Sequence, residues 1–234
     1  MEIFIDSAEL NEIKKWLGYG LLDGVTTNPS IMFRDGIYDA EAGAKEIAAL
    51  VYPRSVSVEV TTNDLNEMVA QAQRFAQWAP NIAVKIPQIN QEGVPCYGVI
   101  RQLESEGIKV NATIALSLGQ VMMAAKSGAT YISIFAGMIA DEGGDAPRLI
   151  RMAVDWLERW KYPSKIIAAS IRGIIDIQEA AVAGAHIITI PSQFLTRMVD
   201  HKYTRDRVRQ FVEDALKTLK MMEMAKLEKT KGTP

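Results

Sequence analysis

Short apolar, largely β-branched runs alternate along this chain with longer segments whose apolar positions recur every three or four residues. The short runs predict strands near residues 2–6, 22–26, 55–60, 81–86, 109–114, 130–135, 165–169 and 186–190. The longer segments predict helices near 8–17, 37–51, 63–77, 92–105, 117–127, 146–159, 174–183 and 192–199. Val56 to Val60 and Ile166-Ile167-Ala168-Ala169 have the apolar continuity of strands covered on both faces. In the segment 63–77, Leu65, Met68, Val69, Ala72 and Phe75 mark one helical face. Gly107, Gly128 and Gly184 each follow a helical stretch, where a residue of positive φ closes the last turn.

Eight consecutive βα units predict an α/β chain folded as a closed (β/α)8 TIM barrel. An open, doubly wound sheet is the alternative, because periodicity does not say whether the sheet closes. Beyond the eighth unit, residues 204–224 predict one more helix, with Val208, Phe211, Ala215, Leu219 and Met222 on one stripe. The polar tail from Lys226 to Pro234 is expected to fray. The expected organisation is a barrel over residues 1–200 and a C-terminal helix and tail over 201–234. That helix either packs under the barrel or lies at a subunit interface, and the second placement is carried forward.

Composition narrows the function classes. The 234 residues are 48% hydrophobic and 23% charged, the balance of a globular protein with a sizeable core. Twenty-six basic residues are interspersed among 28 acidic ones, which excludes the basic face that a nucleic-acid partner requires. No apolar run approaches the ~20 residues needed to span a bilayer, so no membrane role is expected. The single cysteine, Cys96, excludes an internal disulfide and any cysteine-cluster metal site. The N-terminus, Met1-Glu2-Ile3-Phe4-Ile5-Asp6, has no basic or apolar signal region, and a cytoplasmic location is expected.

In α/β barrels the active site gathers at the C-terminal ends of the strands. Here those ends carry Asp6, then Thr26-Thr27-Asn28, then Glu59, then Lys85 between Val84 and Ile86. Asn111 and Thr113 follow on the fifth strand, Ser133 and Phe135 on the sixth, Ser170 and Arg172 on the seventh. Lys85 is the most informative. Burial between apolar neighbours favours its neutral amine, a nucleophile able to form a Schiff base with a carbonyl. The structural alternative is a lysine ion-paired to Asp6 or Glu59, or one whose ammonium reaches the rim. Two carboxylates on other strand ends weigh toward chemistry, since a Schiff-base enzyme needs acid/base groups to dehydrate the carbinolamine and move a hydroxyl proton.

Other chemistries lack their residues. His186 and His201 cannot supply a three-histidine zinc site, so no metal is expected. There is no phosphate-binding G-x-x-x-x-G-K-[ST] run, and Gly18-x-Gly20 follows a helix and lacks a third glycine. The methionine groups Met122-Met123 and Met221-Met222 read as helix packing.

The motifs Asp6, Gly24-Val25-Thr26-Thr27-Asn28-Pro29-Ser30, Ser57-Val58-Glu59-Val60, Val84-Lys85-Ile86-Pro87, Asn111-Ala112-Thr113 and Ala169-Ser170-Ile171-Arg172 occur in that order. The set, over residues 1 to about 220, resembles the small transaldolase and fructose-6-phosphate aldolase family of class I, Schiff-base barrels. By that resemblance Lys85 forms the imine, Asp6 handles the C4 hydroxyl proton, and Glu59 acts through a water on the carbinolamine. Asn28, Asn111, Thr113 and Ser133 hold the dihydroxyacetone portion and the water, with Thr26 and Ser170 among the substrate-binding groups. Glu59 with Phe135 is similar to the transaldolases, where aldolase members carry glutamine and tyrosine. The resemblance also implies no cofactor and a ring-built homo-oligomer, such as a decamer.

One departure bears on the substrate. The strand-six motif reads Ser133-Ile134-Phe135-Ala136-Gly137-Met138, and Met138 stands where the family carries an arginine that shares the substrate phosphate with Arg172. Losing one guanidinium weakens dianion binding by ~1–3 kcal/mol. Either Arg34 compensates, or the terminal anion is a singly charged sulfonate, as in 6-deoxy-6-sulfofructose. The expected activity is a transaldolase transferring a dihydroxyacetone unit from a 6-anionic ketose to an aldehyde such as glyceraldehyde 3-phosphate or erythrose 4-phosphate. The alternatives are an aldolase releasing free dihydroxyacetone and a non-catalytic barrel that binds a sugar phosphate or sulfonate.

Overall fold

The computed structural model describes residues 1–231. Eight strands, β1 (Glu2–Asp6), β2 (Gly24–Thr26), β3 (Ser55–Glu59), β4 (Ile82–Pro87), β5 (Val110–Ala115), β6 (Tyr131–Phe135), β7 (Lys165–Ala169) and β8 (Ile187–Ile190), pair in parallel. They close in sequence order, with β8 hydrogen-bonded back to β1. The sheet therefore closes, and the open doubly wound alternative is excluded. Helices α1 (Leu10–Gly18), α2 (Pro29–Arg34), α3 (Ala40–Val51), α4 (Leu65–Ala76), α5 (Tyr97–Ser105) and α6 (Leu118–Lys126) fall between the earlier strands. Helices α7 (Ala136–Asp141), α8 (Ala146–Trp160) and α9 (Ile174–Val182) precede β8, and α10 (Ser192–Val199) and α11 (Lys202–Lys231) follow it. Among the described residues no helix is long and apolar enough to cross a membrane.

Two short helices were absent from the periodicity. The expected helix 37–51 begins only at Ala40, and α2 precedes it, started by the Asn28 side chain accepting from the Ile31 amide with Pro29 in the first turn. The six-residue α7 is likewise too short to show a period. The helix expected from residue 92 starts at Tyr97, because Ile89 bridges Pro95 across a loop. Gly107, Gly128 and Gly184 adopt φ values of +80°, +92° and +91°, as helix-closing residues do.

The interior of the barrel is layered by the two-residue period of its strands. The floor is apolar: Phe4, Ala83, Tyr131, Ile167 and Ile187 form one buried cluster, with Phe4 edge-on to Tyr131. Gly24 belongs to this layer because a Cβ there would lie 2.5 Å from the Phe4 ring. One pleat further along, the same strands present Asp6, Lys85, Ser133, Thr189 and Thr26. Side chains on the other face, among them Ile5, Val84, Ile132 and Ile188, are fully buried between sheet and helices. Each such burial stabilises the fold by about 1.5–3 kcal/mol, so the strand faces are specified by apolar contact on both sides.

The chain divides into two compact units, one ending at Phe194 and the other beginning at Leu195. The first holds all eight strands and α1–α9. In the second, α11 starts before the expected residue 204 and continues past 224, so the tail that was expected to fray is helical through Lys231. Residues 232–234 of that tail lie outside the described residues. Val208, Phe211, Leu219 and Met222 of the expected stripe are all exposed, as are Val212 and Leu216 beside them.

Candidate active site

Strand register sets the polar layer. Asp6 is level with Thr26, Thr26 with Ser57, Glu59 with Lys85, and Lys85 with Asn111. Lys85 is the pivot. Its side chain is buried, and Nζ donates to the Thr27 carbonyl at 2.9 Å while lying 4.0 Å from Glu59 Oε2. The pairing with Glu59 is therefore at the limit of contact, and the carbonyl is the closer partner. An amine held by a backbone carbonyl is oriented without being tied into a tight ion pair.

The carboxyls differ in support. Asp6 Oδ1 accepts from Thr26 Oγ1 at 2.7 Å, and Thr26 in turn shares a short contact with Thr189 on β8. Burial pushes the Asp6 carboxyl above the ordinary aspartate range, a rise opposed by Lys85, by the Thr26 hydroxyl and by Arg34. Glu59 is also raised, chiefly by burial, with Lys85 opposing and Asp6 reinforcing. Raised in this way, both carboxyls hold a proton more readily than free carboxylates, which suits them to proton transfer.

Deeper in, Ser133 Oγ donates to Asn111 Oδ1 at 2.7 Å and Asn111 Nδ2 donates to Ser57 Oγ at 3.2 Å. This chain fixes the Asn111 amide beside Lys85. Thr113 sits where β5 bulges against β6: two residues, Thr113 and Ile114, fill the interval between pairs that β6 fills with one, and Ile114 takes φ +60°. A β-branched residue is costly there, so the bulge is held by its surroundings. The Thr113 hydroxyl is buried with no protein partner, a group available to a bound water.

A cavity of about 500 Å³ opens over this layer. It brings together Asp6, Thr26, Asn28, Arg34, Lys85, Ser133, Phe135, Ser170 and Arg172 from among the residues expected from sequence. Glu59 instead borders a neighbouring cavity of about 430 Å³ that shares Asn28 with the first. Asn111 and Thr113 lie beneath, buried, rather than in the lining. Sequence reasoning missed Thr189, Ser30 and Gln193, which also line the cavity. Thr189 had a signal, as the one polar residue in Ile187-Ile188-Thr189-Ile190 on the inward phase of the strand. Ser30 closed the Gly24-to-Ser30 motif without being singled out, and Gln193 had no signal; they are placed by α2 and α10.

The outer end of the cavity carries two guanidinium groups, each paired to a carboxylate of this chain. Arg172 Nη2 donates to Asp141 Oδ2 at 3.0 Å, and its backbone N–H is held by Asp176 at 2.7 Å. Arg34 forks onto Asp35 at 2.7 and 3.1 Å, and Asp35 also accepts from the Ala8 N–H and the Ser7 hydroxyl. Ser170 adopts φ +58°, and its carbonyl packs on α7 where only a glycine fits. A Cβ on Gly137 would stand 2.0 Å from that carbonyl oxygen and 2.8 Å from Arg172 Nε. Gly137→Ala is therefore expected to cost about 1–3 kcal/mol of stability and to displace Arg172. Thermal melting checks it: an unchanged melting point would refute the packing argument.

The family model described as "Transaldolase/Fructose-6-phosphate aldolase" matches residues 3–232. The chain is similar to a probable transaldolase of Lactiplantibacillus plantarum, 42% identical over 92% of this chain and 96% of that one. It is also similar to a probable transaldolase of Dehalococcoides mccartyi, 38% identical over 92% of this chain and 97% of that one. Among solved structures, thiamine phosphate pyrophosphorylase from Pyrococcus furiosus overlays with a TM-score of 0.57 at 14% identity, covering 82% of this chain and 85% of that one. At that identity the overlay speaks for the fold alone.

Proposed function

Because the chain belongs to the transaldolase/fructose-6-phosphate aldolase family, we propose that it is a Schiff-base transaldolase. It moves a dihydroxyacetone unit from a 6-anionic ketose to an aldehyde such as glyceraldehyde 3-phosphate or erythrose 4-phosphate. The observation that carries this reading is the buried Lys85 amine, held by the Thr27 carbonyl within reach of Glu59, in a cavity that also presents Asp6.

In this reading Lys85 Nζ attacks the ketose C2 carbonyl, and the carbinolamine loses water with Glu59 relaying protons. The protonated imine draws the electrons of the C3–C4 bond as Asp6 takes the C4 hydroxyl proton. The first aldehyde leaves, the enamine adds to the acceptor, and hydrolysis frees Lys85. The imine is the electron sink, so no cofactor is required. Phe135 lines the cavity, and its resemblance to the transaldolases, where aldolase members carry tyrosine, favours transfer over release of free dihydroxyacetone. Borohydride trapping with a ketose donor tests the mechanism, the expected result being a reduced adduct on the peptide that contains Lys85. Intact protein that gains no mass would overturn the mechanism.

The anion end favours a sulfonated donor, 6-deoxy-6-sulfofructose, over fructose 6-phosphate. Met138 lines the cavity where a second guanidinium would stand, and Arg34 and Arg172 already hold carboxylates. We also infer a cytoplasmic homo-oligomer. The exposed stripe on α11, with Phe211 63% and Leu219 57% accessible, is more apolar surface than a lone helix keeps in water. Deleting residues 204–234 is expected to lower the assembly mass measured by light scattering, and an unchanged mass would refute that placement.

A further inference from the structure

Both guanidinium groups at the mouth of the cavity carry a carboxylate of this chain, Arg34 with Asp35 and Arg172 with Asp141. Arg172 lies along α7, against Gly137, and meets Asp141 one turn further on, since positions four apart share a helical face. Met138, between them in sequence, adds shape without charge. We propose that Asp141 is a specificity-determining residue, the counter-charge that sets this end of the site for a singly charged terminal group.

The proposal rests on the reading of this cavity as the donor site. Its physical basis is the different scaling of two opposing effects. Removing an ion from water costs roughly as the square of its charge, whereas attraction to a fixed set of charges grows only in proportion to it. A site with bare guanidiniums can offset the fourfold greater desolvation of a dianion. Two arginines that already share their charge with aspartates offset less of it, which favours a monoanion that spreads one charge over several oxygens. The Asp141 carboxylate also repels a dianion about twice as strongly as a monoanion. Asp35 is the less separable partner, because it also ties the Ala8 N–H and the Ser7 hydroxyl beside Asp6. Asp141 makes its contact from an exposed position, so it can be changed alone.

The test compares kcat/KM for fructose 6-phosphate and 6-deoxy-6-sulfofructose in the wild type, Asp141→Asn and Met138→Arg. Asp141→Asn is expected to raise kcat/KM for the phosphate about three- to fivefold, the range that an exposed ion pair supports, and to leave the sulfonate within about twofold. A residue that merely orients Arg172 would lower both donors together, and that result overturns the proposal. If Met138→Arg raises the phosphate rate and Asp141→Asn does not, the anion site stands and Asp141 is not its counter-charge. If neither donor is turned over by any of the three proteins, the donor-site reading fails and this proposal fails with it.

Discussion

Replacing Lys85 with alanine is expected to abolish the borohydride-trapped adduct and to lower kcat by roughly 10⁴-fold or more, the order seen when a covalent nucleophile is removed. No neighbouring group can substitute. Thr27 offers a carbonyl, Glu59 and Asp6 are carboxyls, and among the described residues no second lysine lines the cavity. The substitution also leaves two largely buried carboxyls without their cation, and Lys85 opposes the rise of both. Asp6 and Glu59 should then hold their protons to still higher pH. Lys85→Met, which keeps the volume, separates loss of chemistry from loss of packing. An adduct that persists in either variant would place the imine elsewhere and end the proposed mechanism.

Asp6→Asn should divide activity from stability. The amide keeps the shape but cannot accept the C4 hydroxyl proton, so kcat should fall about 10²–10⁴-fold, the usual contribution of general acid–base catalysis. In the native state Asp6 is raised above its unfolded value, mainly by burial. The folded protein therefore binds that proton more tightly than the unfolded chain does. Its contribution to stability declines as pH climbs from the ordinary carboxylate range through the raised native value. At neutral pH the variant, relieved of a buried charge, should melt no lower than the wild type, and its advantage should shrink as pH falls. In the wild type the acid limb of kcat/KM should stand above the ordinary carboxylate range. The limb due to Asp6 should vanish in Asp6→Asn, leaving that of Glu59. A variant of wild-type kcat would remove Asp6 from the proton transfer, and a wild-type limb in the ordinary carboxylate range would contradict the burial argument.

Much of the site was legible because a barrel makes it so. Strands that alternate every residue and all run parallel bring their final polar side chains to one mouth, so noting what ends each apolar run located Asp6, Lys85, Ser133 and Arg172. Strand phase alone does not place every group. Glu59 ends β3 as read, yet borders the neighbouring cavity, with its Oε2 4.0 Å from Lys85 Nζ. Thr113 is aimed by a bulge that no residue pattern announces, and its strand-mate Ile114 is a residue type that local preference would keep from that conformation.

The sequence by itself determined the succession of strands and helices, the inward phase of each strand and the placement of Lys85 within the apolar run Ile82 to Pro87. These follow from periodicity and the cost of burying charge, both local properties of the chain. Only the tertiary structure decided that the sheet closes, since closure is a hydrogen-bonded pairing between β8 and β1, the first and last strands of the barrel. It alone decided which carboxylate each arginine holds. Arg172 and Asp141 lie 31 residues apart and meet because Gly137 leaves no side chain between α7 and the end of β7. Pairings of that kind depend on which surfaces the fold brings within 3 to 4 Å, and no local pattern of residues encodes that distance.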